Sequence, residues 1–329
     1  MQRVAVLGLT LALTAVAAVP QGRAGDFPSR PIHLIIGFPP GSAADITARL
    51  VGNAVSQTLG QQIVIESRPG AGSSIAAEFV ARAPKDGYTL YIGTSSNVTN
   101  AVISSKLSFD FAKDFAPVAP LTGLPLILAV HPSLGVSSFK ELIALAKSKP
   151  GELTYASVGP GTVPHLSTEL IGVRTNIKLV HVPYQGSPPA VTDLLAGRVS
   201  MMLGVASTIL PHVDAGRLKA LASGSAKRPH IAPNLPTIAE AGLPDFEASV
   251  WFGLVAPAGT PRAVIEKLAA AANGALKSDD VIAKLKAQGF EPLGGPPDEF
   301  AQFIAREMVK WAAAAEAAGL REQQAPPPT

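Results

Sequence analysis

Four short stretches concentrate the groups able to hold something small: Phe38–Asp45, Thr94–Thr99, Ser157–His165 and Tyr184–Ala190. They are rich in glycines, hydroxyls and prolines, and they hold no lysine or arginine. A site of that kind recognises an anion through backbone N–H groups, helix N-termini and ordered water, not through salt bridges. It suits a small carboxylate. The candidate contacts are Phe38, Pro40, Gly41, Ser42 and Asp45 in the first stretch, and Ser95, Ser96 and Asn97 in the second. The third supplies Ser157, Gly161, Thr162 and His165, and the fourth Tyr184 and Gly186. Asp45 and His165 each have a plainer explanation. A carboxylate in the first turn of a helix is favourable in itself, and a histidine there caps or packs. Asp193, inside a helix, reads as structural.

Catalysis would need more than these stretches offer. There is no G-x-S-x-G and no H-E-x-x-H. The histidines at 33, 131, 165, 181, 212 and 230 never fall three to five residues apart, so local metal-ligand spacing is absent. Without cysteine there is no disulfide, thiol nucleophile or thiolate metal site. Gly70-Ala-Gly72 opens like a dinucleotide fingerprint, but Ile75 stands where the third glycine belongs and the loop follows the second strand. The expectation is therefore no enzyme, no cofactor and no metal. A hydrolase or isomerase using Asp45 and His165 is the enzymatic alternative.

These stretches need a frame to position them. Ile32–Gly37 predicts a buried strand. Phe38-Pro-Pro-Gly41 predicts a turn, and Ile46, Leu50 and Ala54 recur four apart in a helix from Ala43 to Leu59. A strand at 62–66, a helix to about Ala83 and a strand at 88–93 continue this as the opening of a parallel α/β sheet. Two extended segments are expected at 115–121 and 126–131, separated by Thr122-Gly-Leu-Pro125. The middle then repeats the strand, Gly/Pro-loop, helix device around Ser157–Val163 and Tyr184–Val191. A short helix is expected at 235–242. Ser249–Val255 is taken as a strand crossing back, followed by helices from Pro261 and Asp298. The polar tail from Gln323 is expected to be disordered.

The 329 residues suggest two domains. Residues 1–24 read as a secretory signal peptide, with an apolar run from Val4 to Val19 and small residues before a cut after Ala24. Removing them takes away Arg3 and Arg23 and no acid, so the formal charge falls from +3 to +1. A nearly neutral exported protein is a poor nucleic-acid binder.

Pro28-Ser-Arg-Pro-Ile, Phe38-Pro-Pro-Gly with Asp45, Arg68-Pro-Gly-Ala-Gly and Asp86-Gly-Tyr-Thr-Leu stand in one order. Tyr155-Ala-Ser157, Gly161-Thr162 with Pro164-His165-Leu166, His181-Val-Pro-Tyr184 and Trp251-Phe-Gly-Leu-Val-Ala-Pro257 follow. Together they resemble the substrate-binding proteins of tripartite tricarboxylate transporters, the Bug family, over nearly the whole chain. The resemblance implies an α/β fold of the periplasmic binding protein type 2 kind, with two lobes, a two-segment hinge and a ligand cleft between them. One lobe is expected from residues 25–124 plus 250–329, the other from 125–249. It implies a periplasmic monomer that captures a small carboxylate and delivers it to membrane subunits of a tripartite transporter. Presenting the same ligand to a two-component sensor is the alternative. Three departures bear on the ligand: Ser42 where a second glycine is common, Ser73-Ser74 where Gly-Asn is common, and Gln185 where a cation is common.

Overall fold

The computed structural model describes residues 27–104, 107–317 and 319. The expected leader at 1–24 and the tail from Gln323 lie outside these residues.

The opening follows its periodicity. β1 (Ile32–Ile36), α1 (Ala43–Leu59), β2 (Ile63–Ser67), α2 (Ser74–Ala81) and β3 (Thr89–Thr94) alternate, and β1 pairs in parallel with both β2 and β3. Continuous apolar runs make such strands, because both faces of a parallel sheet are covered by helices. The polar stretch after β3 is not a loop: it is α3 (Ser95–Ile103), capped by Thr94.

One strand joins the molecule's two halves. β4 (Phe115–Val130) runs unbroken through Thr122-Gly-Leu-Pro125, where two separate segments were expected. The prolines do not stop it because their positions relax the ladder. The register with β9 (Ser249–Pro257) shifts between Pro117 and Ala119 and again between Pro120 and Thr122. A proline has no N–H to offer a ladder, so it is tolerated at such irregularities.

β4 therefore serves two sheets. Its first part, Phe115–Pro125, lies antiparallel to β9, which in turn pairs with β3. Its last part, Leu126–Val130, pairs with β7 (Met201–Val205) and β8 (Lys219–Ser223). Between β4 and β7 the chain builds α4 (Phe139–Ser148), β5 (Thr154–Ser157), α5 (Val163–Thr175), β6 (Val180–Pro183) and α6 (Ser187–Leu195). The strand order is β2-β1-β3-β9-β4-β7-β5-β6. α7 (Ala206–Asp214) follows β7, with Pro211 inside it. The segment expected as a helix at 235–242 is a set of turns, one of them closed by Thr237 Oγ1 accepting the Glu240 N–H at 3.0 Å.

After β9 the chain returns to the first half. α8 (Arg262–Ala275) packs on α1 and β4, and α9 (Asp279–Ala287) on α1. A short β10 (Glu291–Pro292) adds to β4, and α10 (Pro297–Ala317) covers α3 and β4. The seal is aromatic. Trp251 meets Phe300 edge-on at 5.6 Å, and both Trp251 and Trp311 donate their indole N–H to Glu307, at 3.3 and 3.1 Å. Phe300 lies so close to β9 that a Cβ on Gly253 would stand 2.2 Å from its ring. Burying each of these large side chains contributes about 1.5–3 kcal/mol.

Candidate functional site

Each of the four stretches is a strand end that feeds a helix, and each helix end is finished differently. At α1, Ser42 is the N-cap (φ −73°, ψ 162°), and its Oγ accepts the Asp45 N–H at 3.4 Å. Its own N–H goes to Pro39 O at 3.2 Å. The Asp45 carboxylate accepts the Gly41 N–H and the Arg49 guanidinium, both at 3.0 Å. The N–H groups of Ala43 and Ala44 find no acceptor among the described residues, as the first turn of a helix dictates. At α3, Thr94 Oγ1 accepts from Ser96 N and Asn97 Oδ1 accepts from Thr94 N. Tyr91 also donates to Asn97, and burial pushes its phenol up to about 12.

The second half carries prolines where the first carries donors. Pro164 stands in the first turn of α5, and Pro188 and Pro189 in that of α6. Thr162 is N-cap of α5 without capping it, and gives its hydroxyl to Gly159 O at 2.7 Å. His165 Nδ1 accepts the Gly161 N–H at 3.2 Å. His165 stacks on His181 at 4.2 Å and His181 on Tyr155 at 4.9 Å, while His181 Nε2 lies 2.6 Å from Ser157 Oγ. Burial, and then the neighbouring His165, push His181 down to about 4. Burial lowers His165 as well. Tyr184 donates to Asp193, which Arg198 also holds, both at 2.7 Å.

Between the halves lies a cavity of about 30 Å³. The first half lines it with Phe38, Ser42, Ala43, Ala44, Thr94 and Ser96. The second half adds Val158, Pro164, Ser187, Gly204 and Val205, and β9 adds Val250 and Phe252. A second cavity of about 120 Å³ shares the walls Phe38 and Val158 and reaches Gly72, Gly159, Tyr184 and Gln185. Beside them the halves touch directly. Thr99 Oγ1 donates to Gly161 O at 2.5 Å. A Cβ on Gly161 would fall 1.6 Å from Asn100 Oδ1, one on Gly72 2.8 Å from Pro160 O, and one on Gly186 2.6 Å from Pro39.

Of the residues expected from sequence, Phe38, Ser42 and Ser96 wall the first cavity, and Phe38 and Tyr184 the second. Asp45 is engaged with Gly41 and Arg49, holding the turn. Gly161 and Gly186 sit on the seam between the halves. Ser157, Thr162 and His165 bond within their own half. Pro40, Gly41, Ser95 and Asn97 line neither cavity. Ser95 Oγ and Asn97 Nδ2 are fully buried with no partner among the described residues. Thr94, Val158, Pro164 and Ser187 were within reach, since they lie in or beside the four stretches. Gly204, Val205, Val250 and Phe252 carry no local signal.

Two α/β lobes sharing a long strand, with a cavity between helix N-termini, define a solute-binding protein of the periplasmic type 2 kind. The chain belongs to the tripartite tricarboxylate transporter family receptors (TctC), whose family model matches residues 47–320. It is similar to BugT of Bordetella pertussis, with 37% identity over 319 residues, 96% of this chain and 97% of BugT. Rpa4515 of R. palustris, solved with adipate, superposes with a TM-score of 0.86 at 38% identity, over 89% of this chain and 99% of that one. MatC (Rpa3494) from Rhodopseudomonas palustris, with bound malate, gives 0.84 at 33% identity, over 88% and 99%. No helix among the described residues is long and apolar enough to cross a membrane.

Proposed function

We propose that this chain is a periplasmic receptor that captures a small carboxylate between its lobes and delivers it to membrane subunits of a tripartite transporter. The observation that carries this reading is the first cavity. Free N–H groups of Ala43 and Ala44 stand at its edge, hydroxyls flank them, and no charged side chain lines it. A carboxylate there accepts from the positive end of α1 without competing with a salt bridge. The relatives solved with adipate and malate support the ligand class.

Capture follows from the frame. Residues 25–124 with 250–329 act as one lobe and 125–249 as the other, with crossings at Leu124–Pro125 and Ser249–Val250. A ligand touching both lobes favours closure by its difference in affinity for the closed and open forms. The protein works as an exported monomer once residues 1–24 are removed. Native mass spectrometry of the freshly purified protein is the test. A retained acid of low mass, displaced on dialysis and rebinding on addition, is the expected result. Failure of any small acid to bind, by this route or by calorimetry, would refute the reading.

A further inference from the structure

One loop makes much of the contact between the lobes, and two histidines shape it. Gly161 O accepts from Thr99 across the seam at 2.5 Å, and Gly161 packs so closely on Asn100 that a Cβ would not fit. A Cβ on Gly159 would stand 3.3 Å from the Gly72 nitrogen. From behind the loop, His165 Nδ1 accepts the Gly161 N–H at 3.2 Å. His181 Nε2 lies 2.6 Å from Ser157 Oγ, which accepts the Gly159 N–H at 3.1 Å. The two rings stack at 4.2 Å. Gly161 thus meets the other lobe through its carbonyl and His165 through its N–H.

That N–H fixes the state of the ring. Nδ1 accepts only while it carries no proton, since a charged imidazole is a donor at both nitrogens. A proton on Nδ1 sets two N–H groups against each other. With the seam made, Gly161 cannot draw back, because Thr99 and Asn100 hold it from the other lobe. With the lobes apart, it can. The closed form therefore binds this proton more weakly than the open form. The groups around His165 do not offset the loss. His181 of β6 and Tyr155 of β5 flank it, Tyr155 at 6.5 Å, and Glu169, one turn along α5, is occupied by the Tyr155 hydroxyl. α3 and β7 bring no titratable group. α10 also packs on α5, and none of its charges, Asp298, Glu299, Arg306, Glu307, Lys310 and Glu316, shifts His165. Burial lowers His165. His181 is driven further down, to about 4, by burial and then by His165, so the first proton goes to His165.

We propose that His165 is a proton latch: a proton taken by its Nδ1 pushes Gly161 off the seam and opens the lobes, so that an acidic medium releases the captured solute. The latch rests on the closure reading above and adds a proton to it. Closure is fully supported above the range in which a free imidazole titrates, about 6.5, and loses ground as the pH falls below it. His181 shares the stack, and two like charges at that spacing disfavour each other. The pair therefore switches on a single charge.

The test has one arm without a solute. Isotope-labelled protein is titrated by magnetic resonance from about pH 8 to about pH 4.5, the range in which an imidazole changes charge. The amides of Gly161 and, across the seam, Thr99 are expected to shift with the midpoint of the His165 ring. Amides that stay still while the ring titrates overturn the latch. The second arm is calorimetry with adipate at about pH 7.5 and about pH 5, on the parent and on His165→Gln, each checked for folding by thermal melt. Glutamine offers the Gly161 N–H an acceptor and does not titrate. Protonation of adipate itself is common to both proteins. Between the two pH values the parent is expected to lose at least about threefold more affinity than the variant. Equal losses overturn the latch and leave carboxylate capture standing. Adipate that binds neither protein at the higher pH counts against the capture reading, and the amide titration then decides the latch alone.

Discussion

Ala43→Pro isolates the anion grip from the fold. Ala43 is the first residue of α1, so its N–H has no helical partner to lose. The residue before it already has the geometry that a following proline demands, with Ser42 at φ −73° and ψ 162°. Stability should therefore hardly change. Binding should change a good deal, because one amide donor to a buried carboxylate is removed. Hydrogen bonds to charged groups contribute about 1.5–3 kcal/mol. At about 1.4 kcal/mol per tenfold, that is a loss of roughly 10- to 150-fold in affinity. The assay is calorimetric titration with the tightest-binding acid, beside a thermal melt of each protein. Unchanged affinity at an unchanged melting temperature would refute the idea that the α1 amides hold the ligand.

Thr99→Val should weaken every ligand by one common factor. It leaves the Gly161 carbonyl without its donor where the lobes meet. A buried unsatisfied acceptor costs about 1–3 kcal/mol, and a ligand-dependent factor in calorimetry would contradict this. Gly161→Ala should block closure, since φ is +74° and the new Cβ would fall 1.6 Å from Asn100 Oδ1. Small-angle scattering should then show no compaction at saturating ligand, and normal compaction would refute the seam. Acid should destabilise the protein through His181. Its folded-state value of about 4 lies below the ordinary 6.5, so the unfolded chain binds the proton more readily. The contribution is complete above pH 6.5 and is lost as the pH falls towards 4. His181→Gln should flatten that part of the melting-temperature profile, and a profile parallel to the parent's would argue against the assignment.

Much of the frame was legible because it is local. The period-four apolar positions from Ile46 give α1 with both ends at their observed residues. What escaped the sequence is what tertiary context overrides. Thr122-Gly-Leu-Pro125 reads as a break, yet pairing with β9, β7 and β8 on either side holds it extended. Pro211 hides α7 in the same way. Leu235–Gly242 looks capped, but it forms a set of turns and no regular helix. The four stretches did converge on the cavities. Within them Asp45 and His165 read as helix-end groups as well as candidate contacts, and each has partners in its own half. The wall made by Val250 and Phe252 comes from a strand remote in sequence, and nothing local marks it.

The seam and the first cavity share no residue. Gly72, Thr99, Asn100, Pro160 and Gly161, with Pro39 and Gly186, make the contact between lobes, while the cavity takes its walls from other positions nearby. Mechanics and taste are thus inherited separately. Exchanging Val158 or Ser187 alters which solute is welcome without touching the surfaces that meet on closing. Exchanging Gly161 stops the motion whatever the solute. A lineage built this way is free to try new diets by point substitution, each trial starting from a machine that already shuts.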